Sequence, residues 1–172
     1  MTQATAPQRS AAPLIAELEQ EARTTRRVLE RVPGDQLSWR PHPKSMSLGQ
    51  LALHVATIPS SIAQILTQDT FEAPQFAHAE AASVSELVPA LEASVRAAHE
   101  FLAGLDEARA TAVWKLVKGG HELMAAPRIG VVRMIMLNHW YHHRGQLSVY
   151  LRLLNVSLPS IYGPSADENP FA

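Results

Sequence analysis

The sequence contains no cysteine. That absence excludes disulfides, thiolate zinc sites and cysteine nucleophiles together, and it agrees with a reducing, cytoplasmic setting. No apolar run reaches the roughly 18 residues that span a bilayer, so no membrane anchor is expected. The opening MTQATAPQRSAAP lacks the apolar stretch of a secretory signal. An excess of either charge is missing too. The 15 Lys and Arg against 16 Asp and Glu leave a net charge of -1 with histidine neutral. The basic residues form no run, which argues against a nucleic-acid partner. There is no P-loop, no glycine-rich nucleotide fingerprint and no nucleophile-elbow serine. Internal repeats and low-complexity segments are likewise absent. What remains is 172 residues, read as one domain large enough to bury a core.

The chain divides into four amphipathic runs. Met1 to Pro13 is a polar arm. Leu14, Ile15, Leu18, Ala22, Thr25 and Leu29 then recur at helical spacing, and Pro33-Gly34 ends that helix. Ser47 begins a second helix, with Gln50 three residues later completing a capping box. Leu51, His54, Val55, Ile58, Ile62 and Ile65 form its stripe. Pro59 cannot donate to the Val55 carbonyl, which predicts a kink or a freed carbonyl one residue past His54. Thr70 to Ala82 reads as a loop. A third helix is expected from Ser83 to Leu105, with a second capping box at Ser83 and Glu86 and with Pro89 near its start. Ala112 to Val117 is β-prone, Gly119-Gly120 is a turn, and His121 to Ala125 can pair back as a small hairpin. The fourth helix is expected from Ile129 to Asn155, burying Val132, Ile135, Met136, His139, His143, Leu147, Tyr150 and Leu154. Ser157 to Ala172 is a proline-bearing extended tail. Four such helices and little strand predict an all-α four-helix bundle.

The histidines carry the chemistry. His139 and His143 are four apart, so on a helix they project side by side and can offer two nitrogens to one ion. Spacing alone decides little in a chain with eight histidines. Their place on the expected apolar face matters more, because burying two neutral imidazoles without partners is costly. The competing reading is a pair of ordinary core histidines bonded to other side chains. His54, on the apolar face of another helix, shifts the balance toward a shared metal. Three neutral nitrogens suit Zn²⁺, Ni²⁺ or Fe²⁺ and not Mg²⁺ or Ca²⁺. Three protein ligands leave a position open for water or substrate. His142 points about 100° away from His143 and falls outside the set. His42, His78, His99 and His121 lie in loops or on polar faces, where exposure is the default. Arg144 and Gln146 flank the ligands and could orient them or a substrate, although an inter-helix polar contact is the favoured reading. Trp39, Trp114, Trp140 and Tyr141 read as packing residues.

Three stretches together resemble the DinB/YfiT-like superfamily of metalloenzymes. RPHPKSMSLGQLALHVA (Arg40 to Ala56) is similar to that family's approach to its second helix, with His54 at the ligand position. NHWYHHRGQL (Asn138 to Leu147) resembles its HxxxHRGQ motif, with His139 and His143 as the other ligands. PSIYGPSADE (Pro159 to Glu168) is similar to a C-terminal signature of one branch. The resemblance implies an up-down-down-up bundle, a three-histidine divalent metal site open to solvent, and a homodimer. It also implies a metal-dependent transferase or hydrolase that activates water or a low-molecular-weight thiol. The alternative is a non-catalytic, metal-stabilised stress-response or dimerisation module, distinguished by a fourth protein ligand that closes the site.

Overall fold

The computed structural model describes residues 11–75 and 77–171 of the chain. The expected N-terminal arm falls mostly on residues 1–10, outside that range. Helix α1 (Ala12–Leu29) starts where the arm ends, with Pro13 in its first turn, where the missing N–H costs no hydrogen bond. It buries Leu14, Leu18, Thr25 and Val28.

Helix α2 (Leu48–Ile65) opens on the expected capping box: the Ser47 hydroxyl accepts from the Gln50 N–H, and the Gln50 side chain accepts from the Ser47 N–H. It continues through Pro59 without a break. Of the two expected consequences of that proline, the freed carbonyl is the one observed. Val55 O accepts from Trp140 Nε1 at 2.8 Å, and the next N–H, that of Ser60, donates to Ser94 Oγ at 2.8 Å. Pro59 thus becomes a docking point for the helix that carries His139. Replacing Trp140 with phenylalanine should strand the buried Val55 carbonyl and cost about 1–3 kcal/mol in urea unfolding. Adding Pro59→Ala should recover part of that loss by supplying a backbone donor. A Trp140→Phe variant as stable as the parent would remove this role.

Helix α3 (Leu87–Ala103) begins later than expected. The Ser83 and Glu86 capping box holds a 3₁₀ turn, Val84–Glu86, ahead of it, so Pro89 falls in the first turn of the helix. A short helix absent from the sequence reading, α4 (Glu107–Thr111), is capped by Asp106. The fourth long helix is assembled from α5 (Arg128–Val131), a π-helical segment (Val132–Asn138) and α6 (His139–Leu153).

The all-α expectation is corrected by a three-stranded sheet of order β1-β2-β3. Strands β2 (Val113–Lys118) and β3 (His121–Pro127) form the expected antiparallel hairpin. Gly119 and Gly120 turn it with φ of 56° and 79°, values that favour glycine. Strand β1 (Thr70–Glu72), in the stretch expected to be a loop, pairs in parallel with β2, Thr70 opposite Lys115. A long-range clamp accounts for it. Arg128 is buried and donates to Leu66 O (3.0 Å), Gln68 O (3.2 Å) and Arg109 O (2.7 Å), and it pairs with Asp69. It satisfies carbonyls beyond the end of α2 and lays the chain leading to β1 against β2.

The molecule is therefore mostly helical with one small mixed sheet. The four long helices share a core that includes Leu18, Leu51, Val55, Leu102, Met136 and Leu147. Side-chain contacts give their directions. Arg26 meets Glu92, and Glu19 meets His99, so α1 and α3 are antiparallel. Tyr150 reaches Met46 and Trp140 reaches Val55, so α2 and α6 are antiparallel. Glu17 bonds Arg133 and Tyr141 while Glu21 bonds Arg144, so α1 and the fourth helix are parallel. No helix of the described residues is long and apolar enough to cross a membrane.

Candidate metal centre

The antiparallel crossing of α2 and α6 brings the three expected histidines together. His54, His139 and His143 each present a ring nitrogen, and the three nitrogens lie within 4.8 Å of one another. The ring centroids are 5.4 Å apart for His54 and His139, 4.6 Å for His54 and His143, and 4.4 Å for His139 and His143. Nitrogens bound tetrahedrally at about 2.1 Å from an ion sit roughly 3.4 Å apart, so small ring rotations close the set. All three offer a neutral imidazole nitrogen, and among the described residues no carboxylate joins the group, a donor set that would fit Zn²⁺, Ni²⁺ or Fe²⁺.

Two of the rings are already oriented from behind. Gln146 Oε1 lies 2.7 Å from His143 Nδ1. It accepts the Nδ1 proton and leaves Nε2 with the lone pair. The Ile135 backbone, one turn earlier, faces the His139 ring and favours a proton on it. Such backing bonds select the tautomer and fix the ring plane of a metal-binding histidine.

The site sits at the rim of the core, a correction to the expected inward placement. All three histidines are half-buried, and the fully buried face of α6 is Trp140, Arg144, Leu147 and Leu151. The π-helical segment just before His139 is the cause. Its wider turns shift the phase of everything downstream, so the buried stripe passes through Trp140 and Arg144 instead of His139 and His143.

That shift also decides the fate of Arg144. Its guanidinium points into the core toward α1, pairing with Glu21 at 2.6 Å and donating to Thr25 Oγ1 at 3.1 Å and to Tyr162 Oη at 2.6 Å. The Tyr141 and Tyr162 rings flank it at 5.3 and 5.2 Å. It is an inter-helix contact that also anchors the C-terminal tail. Gln146 is the flanking residue that reaches a histidine. His142 is exposed and outside the donor set, as expected. Trp114 and Trp140 are packing residues, fully buried. His78 is exposed in a loop, as expected, and its ring lies 5.1 Å from that of His54. No local pattern signals this, because a loop that returns to α2 sets its position.

Burial holds the cluster neutral. It pushes His54 down to about 3 and His143 down to about 4, with the neighbouring histidines adding to the shift, and it lowers His139 in the same direction. In the unfolded chain these imidazoles take up protons as pH falls through about 6.5; in the folded chain they do so only far lower. The cluster's contribution to stability is therefore complete above pH about 6.5 and is lost as pH falls toward 4. Glu17, Asp167 and Glu168 are held low by hydrogen bonds from Arg133, Arg152 and the Ser160 backbone. Their contributions disappear only below the unfolded carboxylate values of about 4. Urea midpoints of the metal-free chain should therefore already fall between pH 7 and pH 5, and His54→Gln should flatten that slope. A level profile across this window would count against the burial of the cluster.

A family model described as the DinB family matches residues 1–169. A DinB-like protein of Bacillus cereus ATCC 10987 superposes with a TM-score of 0.65 at 20% identity, covering 88% of this chain and 97% of that one. The DinB-like protein YjoA of Bacillus subtilis gives 0.65 at 18% identity, covering 87% and 97%. At these identities the likeness concerns the fold alone. The uncharacterized protein YrdA of Bacillus subtilis (strain 168) is 41% identical over 39 residues, a match spanning 23% of this chain and 23% of that protein.

Proposed function

The chain belongs to the DinB family, and on that premise we propose that His54, His139 and His143 hold one divalent transition-metal ion in a metal-dependent enzyme of the transferase or hydrolase type. The observation that carries the reading is the convergence of three neutral imidazole nitrogens from two helices, without a carboxylate. The helix directions support the wider reading of an up-down-down-up four-helix bundle, with the ligands on its second and fourth members. When bound, the ion supplies Lewis acidity that makes water or a low-molecular-weight thiol easier to deprotonate near neutral pH. The chain's own residues do the rest. Burial keeps the donors unprotonated, Gln146 aims His143, the Ile135 backbone aims His139, and Trp140 locks α6 to α2 so that the pair meets His54. A homodimer belongs to the same reading, with Val149 and Leu153, exposed one turn apart on α6, as an apolar contact for it.

The backing bond gives a direct test. Gln146→Leu should weaken zinc binding by roughly 10- to 100-fold, the usual cost of removing a histidine's outer partner, in a chelator-competition titration. Gln146 is exposed, so the melting temperature of the metal-free chain should hardly move. Unchanged zinc affinity in this variant would detach Gln146 from the site.

A further inference from the structure

His78 stands beside the cluster but outside its donor set, at a cavity that also takes in His54. Its place is built by the start of α2. Gln50, the capping residue, donates its Nε2–H to His78 O at 3.2 Å. Two residues on, the Glu80 carboxylate accepts from the Ser47 hydroxyl, and the Ala81 N–H reaches Gly49 O at 3.5 Å. A Cβ on Gly49 would come within 3.1 Å of Glu80 Cγ and 3.2 Å of Leu37 O, so glycine is what lets this segment lie so close. The strap ties residues 78–81 to residues 47–50 and sets the His78 ring edge-on to His54, one helical turn further along α2.

The imidazole itself is uncommitted. Among the described residues it makes no hydrogen bond, and its nitrogens fall outside the three-histidine donor set. It lines a cavity of about 360 Å³ together with His54, Leu53, Thr57 and Ser61. This cavity reaches the cluster on its His54 side, and among the described residues no acidic side chain lines it. Three neutral ligands leave the charge of a divalent ion uncompensated, so the ligand that joins them there is favoured as an anion.

Resting on the metal reading above, we propose that His78 is a substrate-binding residue: from the mouth of this cavity its ring N–H donates a hydrogen bond to a small anion that shares the ion with His54, His139 and His143. The cavity is then the substrate pocket, and the substrate class is a small molecule with one anionic head that can ligate the ion. Its body rests on Leu53 and within reach of the Thr57 and Ser61 hydroxyls.

The test uses the cobalt-loaded full-length chain, with azide as the anion, followed by visible absorption. Cobalt affinity is measured separately by chelator competition. His78→Ala should weaken azide binding roughly tenfold, the scale of one charge-assisted hydrogen bond at a partly open site, and leave cobalt affinity within about twofold. His78→Gln, which restores an N–H, should recover most of the azide affinity. Equal azide binding by His78→Ala and the parent overturns the proposal. So does a loss of cobalt affinity in His78→Ala, which would make His78 a ligand, and so does a parent whose cobalt spectrum ignores azide. A parent that binds no cobalt overturns the metal reading itself, a different result from any of these.

Discussion

Replacing His143 with alanine is expected to lower affinity for zinc or cobalt by more than about a hundredfold and to abolish any transferase or hydrolase activity found for the chain. The expectation follows from donor number. On the proposed reading three nitrogens hold the ion, so removing one would leave two neutral ligands at a half-buried site, a larger loss than the 10- to 100-fold that follows removal of a mere outer partner. His143 sits at the rim of the core, so its truncation opens no large internal cavity and the fold should survive. His142→Ala is the matched control, an exposed neighbour outside the donor set, and should leave affinity within about twofold. Chelator-competition titration of both variants decides the matter. A His143→Ala variant that keeps the parent's affinity would break the assignment, and one that is active without metal would break the mechanism.

The largest effect on stability should come from Arg144. Its guanidinium is almost fully buried and its partner Glu21 is nearly so. Arg144→Met should destabilise the chain by about 3–5 kcal/mol, because removing one member of a buried ion pair leaves the other charge uncompensated. For a chain of this length that corresponds to a fall in melting temperature on the order of 10 °C. The double variant Arg144→Met/Glu21→Leu should recover much of the loss, since an apolar replacement of the whole pair is often close to neutral. Tyr162 shares both partners, accepting from Arg144 and donating to Glu21 at 3.0 Å. The single variant should therefore also loosen the tail, seen as faster proteolysis near residue 162. A loss below about 1 kcal/mol in Arg144→Met would mean that the pair is solvated in a way this packing does not allow.

These two residues also mark how far the sequence could be read. The four long helices, the Ser47 cap, the Gly119-Gly120 hairpin and the freed Val55 carbonyl all follow from short-range rules of spacing, capping and proline chemistry. So do the three histidines, because their helices are amphipathic and their motifs adjoin. The rest depends on contacts between residues distant in the chain. Strand β1 is three residues long and forms because Arg128, more than fifty residues away, draws the chain leading to it against β2. The π-helical segment follows no simple spacing rule, and beyond it the buried stripe runs through Trp140 and Arg144 instead of His139 and His143. His78 is the exposed loop histidine it reads as, but its nearness to His54 was not legible because the strap that places it runs through Ser47, Gly49 and Gln50 on another segment. In each case the local pattern was sound and a long-range contact chose among the conformations it permitted.

His54, His139 and His143 are proposed to bind one divalent ion. The most direct measurement is a zinc titration of tag-free, chelator-stripped protein by calorimetry, run beside the triple variant His54→Ala/His139→Ala/His143→Ala. One ion per chain is expected for the parent and no binding by the variant. A parent that takes up no zinc, or a variant that binds it as well as the parent, would contradict this.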